Sequence, residues 1–463
     1  MLRIRNHPSG VVGRRGLLLS SCLLITAACG DILSVNRPDI VQASDLTTLA
    51  GLATLRAGAF GEFAKAYGGD ASAPGDVREN QILASGLLGD EFKALETDGT
   101  RIIYDARRTS PTATNGNLES FYAALHRARS AAETAANTFR TVAPPSTDSV
   151  VAEMMNLAGF IYTFLGEDYC SGIRISTLTA AGDVQYGTPL TNAEVFTLGG
   201  AKFDTALASA TKANIPTLQQ LAQVGKARAL LNLGQFAAAA SAVASVPTTF
   251  RYDVRYSSTT ARQQNGVFYA NNQLKRWSMV NRKGGNGIDY QDAFTAGDPR
   301  TPWTAMPGDG LGFDKTAGPG FNQGLYASLT ASIPLATGIE ARLIEAEAAL
   351  QANNVASFQS IHNALRASLG KAAVGPIDAA AMTPAQRVDF HLRERALWLY
   401  ATGHRLGDMR RLIRQYGRTE NTVFPTGPYY RPTYPTYGTD VNFPVPISEL
   451  NNPNWTACLD RKA

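Results

Sequence analysis

Charge is scarce in this sequence: Asp, Glu, Lys and Arg make up 17% of it, against about 25% in an ordinary soluble chain. With 44% hydrophobic residues, that composition excludes a disordered or coiled-coil chain. Histidine is rarer still, five residues in all, and none stands near a second His or Cys at a zinc-ligand spacing. Gly308-Asp309-Gly310-Leu311-Gly312 lacks the six-residue dinucleotide fingerprint, and Lys315-Thr316 lacks the glycine that a phosphate loop sets before its lysine. That stretch reads as a surface loop, and no metal or cofactor is expected. The net charge of +5 dissolves once it is located. Arg3, Arg5, Arg14 and Arg15 precede residue 29 with no acid among them, and without these four the 43 basic residues nearly cancel the 38 acidic ones. A nucleic-acid binder needs a surplus of positive charge on one face; here there is none, and nucleic acid is not expected as a partner.

What is present begins with an address. Met1 to Arg15 is basic, Leu17 to Ala28 is mostly apolar, and Thr26-Ala27-Ala28-Cys29 sets small residues before a cysteine. This is the order of a secretory signal. The apolar run is shorter than the ~20 residues that cross a bilayer, and no later segment comes closer, so a mature chain without a membrane span is expected. A cysteine directly after two alanines resembles the bacterial lipobox, which makes Cys29 the expected lipidation site; Leu19-Ser20-Ser21-Cys22 matches the box by letter but leaves almost no apolar core before it. Residues 1–28 are thus read as a lipoprotein signal peptide, 29–44 as a lipidated tether, and 45–463 as a single domain. Processing at Cys29 leaves Cys170 and Cys458, either joined to each other or as buried thiols.

Helical periodicity then alternates with Gly-, Pro- and aromatic-rich segments. Helices are expected over 45–67, 117–141, 147–166, 192–212, 217–232, 235–245, 339–352, 355–369 and 384–414, with no run of βαβ units. Around Leu233-Gly234-Gln235-Phe236 one helix ends and another restarts on small residues before Pro247, the pattern of a tetratricopeptide hairpin. Leu343, Ala346 and Leu350 form one buried stripe of a second pair. Across 384–414, Leu392, Ala396, Leu399, Gly403, Leu406, Met409 or Arg410, and Ile413 recur at helical steps, and Arg405 is placed to pair with Asp408.

These residues resemble the SusD/RagB-like nutrient-uptake outer-membrane lipoproteins. Arg393-Glu394-Arg395-Ala396-Leu397 and Gly403-His404-Arg405-Leu406-Gly407-Asp408-Met409-Arg410-Arg411 are similar to that family's C-terminal pattern, with Thr402 standing where the pattern carries Glu. Arg342-Leu343-Ile344-Glu345-Ala346-Glu347-Ala348, Asp298-Pro299-Arg300, Pro444-Val445-Pro446-Ile447-Ser448-Glu449-Leu450 and Asn452-Pro453-Asn454 resemble its other motifs, in family order. The resemblance implies a mainly α fold, a superhelix of tetratricopeptide-like hairpins with long irregular loops on one side. It also implies a non-enzymatic protein on the outer membrane that captures glycans or peptides for a SusC-like TonB-dependent transporter.

A sugar presents C–H faces and many hydroxyls, so its binders set aromatic rings beside Asn, Asp, Gln or Arg. Tyr269, Trp277, Tyr290 and Trp303 are therefore the ligand-binding candidates, among Asn271, Asn272, Gln273, Arg282, Asn286 and Asp289. Tyr429, Tyr430, Tyr434 and Tyr437 form a second cluster, and Asp90, Glu91, Phe92 and Tyr104 a third. The plainer alternative is that such rings pin loops to the core. Two rival functions remain: a tetratricopeptide-type protein scaffold, or a secreted glycoside hydrolase using Asp90 with Glu91 or Asp289 with Asp292.

Overall fold

The computed structural model describes residues 48–73, 78–142, 147–179 and 183–463. The signal peptide, Cys22, Cys29 and the tether lie outside the described residues. Contacts divide the chain into Met1–Gly51 and Leu52–Ala463; of the first unit only residues 48–51 are described, Thr48 and the start of α1 (Leu49–Gly68).

Most of the expected helices form within a few residues of their expected bounds, and several short ones that were not expected stand beside them. After α2 (Gln81–Leu88) and α3 (Gly99–Asp105) come α4 (Gly116–Val142), α5 (Asp148–Asp168), α6 (Asn192–Lys212), α7 (Pro216–Asn232) and α8 (Phe236–Val243). A long loop region holds α9 (Gly266–Phe268) and α10 (Tyr290–Thr295). The chain resumes as α11 (Gly338–Gln351), α12 (Val355–Ala367), α13 (Pro384–Trp398) and α14 (Arg405–Tyr416). Each of α4 to α8 packs on the next, α8 packs on α11, and α11 on α12 and α13. The row of hairpins is thus continuous across the loop insertion, the mainly α architecture that the sequence implies. Thr191 starts α6 with a reciprocal capping box to Glu194, and Thr383 does the same for α13 with Gln386. Phe203 of α6 sits where a Cβ on Gly159 of α5 would come within 2.7 Å of its ring and one on Gly225 of α7 within 2.2 Å; three helices approach because neither position has a side chain. α5 is, by length and composition, a helix that can cross a membrane, which corrects the expectation that no such segment follows the signal. It lies buried among the hairpins and ends in Glu167-Asp168.

Ten short strands form five antiparallel pairs among the described residues. They are β1 (Phe92–Ala94) with β7 (Trp277–Met279), β2 (Ile173–Arg174) with β5 (Pro189–Leu190), β3 (Thr177–Leu178) with β4 (Val184–Gln185), β6 (Arg251–Val254) with β10 (Ile333–Thr337), and β8 (Trp303–Ala305) with β9 (Phe321–Gln323). β6 and β10 bracket the loop region and return it to the hairpins.

The expected helix over 384–414 is two helices. The chain breaks at Leu399–His404, where Ala401 has φ 55° and Gly403 φ 72°. The peptide groups freed there are bonded by side chains from across the core. Glu91 accepts from Ala401 N at 2.9 Å, and the Tyr326 hydroxyl donates to Ala401 O at 2.9 Å. Arg228 donates to Gly403 O at 2.8 Å. A Cβ on Gly403 would lie 2.8 Å from the Gln81 side chain, so this glycine serves a left-handed turn and a close contact rather than a helix interior.

The same region holds a buried ionic network built from the motif residues. Arg395 grips Asp408 at 2.9 and 3.1 Å. Arg411 bonds both Asp408, at 2.6 Å, and Glu347 of α11, at 2.5 Å. Glu394 receives Arg300 and Arg366, both at 2.7 Å. Arg405 does not pair with Asp408 as expected; it reaches Asp90 beside α2, at 2.7 and 2.9 Å. His404 is a packing residue, bonded to Thr402 and 3.0 Å from Glu340.

The second carboxylate oxygen of Glu91, beside this network, has no hydrogen-bond partner among the described residues. Burial pushes its pKa up to about 8, with Asp90 adding to the rise against the Ala401 hydrogen bond. The folded state then binds a proton that the unfolded state, near the ordinary 4.5, has released. Glu91 therefore weakens the fold progressively as pH rises from about 4.5 to about 8. Glu91→Gln is expected to remove that part of the decline, checked by urea midpoints at pH 5 and pH 8; an unchanged pH slope would show that Glu91 does not carry it.

Candidate functional site

The four aromatic candidates separate by burial. Trp277 and Tyr290 are both 0% exposed, which corrects their assignment as ligand contacts. Trp277 lies in β7 with the Arg101 guanidinium 4.8 Å from its ring centre, and Tyr290 packs on Tyr400 with ring centres 4.8 Å apart, tilted by 47°, its hydroxyl toward Asp90. Their rings hold β7 and α10 to the core. Tyr269 and Trp303 are half-buried; the Trp303 indole donates to Gln291 O at 3.2 Å and meets Phe321 edge-on at 5.2 Å. Asn271 and Asn286 spend their amides on backbone carbonyls, Asn271 on Trp277 and Phe321 and Asn286 on Asn421 and Phe424. The structure therefore favours the loop-pinning alternative for this first cluster.

Segments that carry or adjoin the three clusters nevertheless meet at one cleft. A cleft of about 340 Å³ is lined by Lys93 of β1, Asn281, Arg282 and Lys283 after β7, and Tyr430 and Tyr437 from the C-terminal loops. That volume falls in the range of small-molecule sites. Its wall is rigid because Asp105 of α3 gathers it: the carboxylate accepts from Ala94 N at 3.0 Å, from the Tyr429 hydroxyl at 3.0 Å and from the Tyr430 hydroxyl, and pairs with Lys283 Nζ at 2.5 Å. Burial lowers the Lys283 pKa against the pull of Asp105, and burial likewise lowers that of Lys93. Lys93 Nζ lies 5.5 Å over the Tyr430 ring, close enough for cation–π attraction. Arg282, 56% exposed, is aimed by Asp292 at 2.9 Å. Half-buried Tyr430 and Asn281, with Lys93 and Arg282, thus offer a ring face, an amide and charged donors together, a set suited to hydroxyl- or carboxylate-bearing ligands.

Lys93, Asn281 and Lys283 escaped the sequence reading. The only local signal was the pair of turn segments, Gly284-Gly285 and Thr426-Gly427-Pro428, that bring these loops together. The acid pairs of the hydrolase alternative do not face this cleft as a free pair: Asp90 and Glu91 are 0% exposed, and Asp289 and Asp292 are held by Arg393 and Arg282.

No family model and no curated protein matches the chain. Solved structures do. A SusD superfamily protein from Bacteroides thetaiotaomicron aligns over 89% of this chain and 100% of its own, at 14% identity and a TM-score of 0.64. A SusD-like carbohydrate binding protein from Bacteroides fragilis aligns over 89% and 99%, at 14% identity and a TM-score of 0.60. One from Bacteroides vulgatus aligns over 78% and 82%, at 14% identity and a TM-score of 0.59. At this identity the likeness is one of fold, and the fold is SusD-like.

Proposed function

We propose that the chain is a non-catalytic binding protein, lipid-anchored at Cys29 in the outer membrane, that captures glycans or peptides and delivers them to a SusC-like TonB-dependent transporter. The observation that carries this reading is the cleft between Lys93, Arg282 and Tyr430, a preformed site on the loop side of a SusD-like fold. Two of the similar structures are described as carbohydrate binding proteins, which supports a sugar ligand. The joined Cys170 and Cys458 support a compartment outside the reducing cytosol. Acyl chains on Cys29 would each add about 0.8 kcal/mol per buried methylene, so several chains anchor durably.

The test is a pull-down of the natively expressed protein from detergent-solubilised outer membrane, with mass spectrometry of the partner and of the N-terminal peptide. A large β-barrel transporter recovered with acylated Cys29 is the expected result. A soluble, unacylated protein recovered alone would overturn both the anchor and the transporter partnership.

A further inference from the structure

A second cleft, of about 720 Å³, opens between α1 and β6 on residues that the proposed function does not use. Its size again suits a small-molecule ligand. α1 contributes Arg56 and Phe60, one helical turn apart, with Ala53, Ala57, Gly61 and Ala64 beside them, so the helix presents a shallow face with one ring and one cation. The opposite wall is β6 and the chain just beyond it, bearing Arg251, Tyr252, Asp253 and Arg255, and Arg262 closes one end.

Charge decides what fits. Four guanidinium groups line the cleft against two carboxylates, Glu153 and Asp253. Glu153 is paired with Arg56 at 2.6 Å, and Asp253 with Arg251 at 2.8 and 2.9 Å. Arg262 is 3.7 Å from Glu62, a carboxylate that already holds Lys65 at 2.9 Å. Arg255 is exposed, and among the described residues it forms no ion pair and donates no hydrogen bond. The cleft thus carries excess positive charge from forked donors, which match the two oxygens of a carboxylate, beside the partly buried rings of Phe60 and Tyr252 that can take a pyranose face.

We propose that this cleft is a separate binding site for an acidic saccharide, with Arg255 and Arg262 receiving its carboxylates and Phe60 and Tyr252 its ring faces. The choice of a sugar rests on the nutrient-binding reading; the charge and the cleft do not.

The test is calorimetric titration of the purified full chain with trigalacturonate, with the neutral trisaccharide galactotriose, and with inorganic sulfate, at low salt. Trigalacturonate is expected to bind at least tenfold more tightly than galactotriose and than sulfate. Arg255→Ala with Arg262→Ala should weaken it at least tenfold, and Arg255→Lys by less. Equal affinity for sulfate would mean a simple anion patch and overturn the proposal. So would no binding of trigalacturonate, or binding that survives the double arginine change. The titration needs no transporter, so failure to recover one in the pull-down leaves this result standing or falling by itself.

Discussion

Glu347→Gln is expected to destabilise the protein by about 3–5 kcal/mol, the range for breaking a buried ion pair from one side. Glu347 of α11 is 0% exposed and meets both α13 and α14. Its oxygens receive Arg411 at 2.5 and 3.2 Å, His391 at 3.2 Å and the Tyr416 hydroxyl at 2.6 Å. Burial alone would raise its pKa, but Arg411, His391 and Arg395 hold it well below the ordinary carboxylate range. Glutamine keeps the shape and removes the charge, leaving the Arg411 guanidinium buried against one carboxylate fewer. Asp389→Asn is the contrast. That carboxylate is 63% exposed in its pair with Arg418, and such pairs contribute about 0–1 kcal/mol. Urea midpoints of the two variants at neutral pH make the comparison; similar shifts would show that the buried network does not set the stability. The pH sign also differs from that of Glu91. A carboxyl held low stabilises fully above the unfolded range near 4.5, and that contribution fades as pH falls through the folded value.

The motif residues were legible in the sequence because this network needs them. Glu394, Arg395, Asp408, Arg411, Glu347 and Arg300 recur in the resemblance as letters, and in the fold they are the ions that tie α11, α13 and α14 to the loop region. Helix α6 matches its expected bounds because a capping box and an amphipathic face mark it locally. α2 was missed for the opposite reason: all eight residues are buried, so no polar face gives a period to read. The break before α14 was hidden because the apolar stripe runs through it, Leu399 to Leu406, while the turn is set by Glu91, Tyr326 and Arg228 from distant segments. The candidate site suffered most. An aromatic ring that anchors a strand and one that borders a cleft look alike in the sequence, and only the fold separates Trp277, fully buried, from Tyr430, which lines a cleft.

The disulfide should have an effect of similar size, through the unfolded chain rather than through a buried charge. Cys170 follows α5 and Cys458 lies near the C-terminus, a sequence separation of 288 residues. Closing so long a loop restricts the unfolded ensemble by about 5–6 kcal/mol on the chain-entropy expression, and native disulfides commonly deliver about 2–5. The folded side gives the bond a seat. Cys170 N donates to Phe443 O at 2.9 Å, Leu459 N to Ser171 O at 2.8 Å, and Val445 N approaches Cys170 Sγ at 3.4 Å. Arg410 caps the end of α5 beside it by donating to Gly166, Glu167 and Tyr169 carbonyls. Cys170→Ser with Cys458→Ser is therefore expected to fold with these contacts but to unfold at a lower urea concentration, by about 2–5 kcal/mol. Reductant should bring the unchanged protein to the same midpoint and leave the double variant where it is. If the two unfold at the same concentration without reductant, the tail is held by its backbone hydrogen bonds and the crosslink adds nothing.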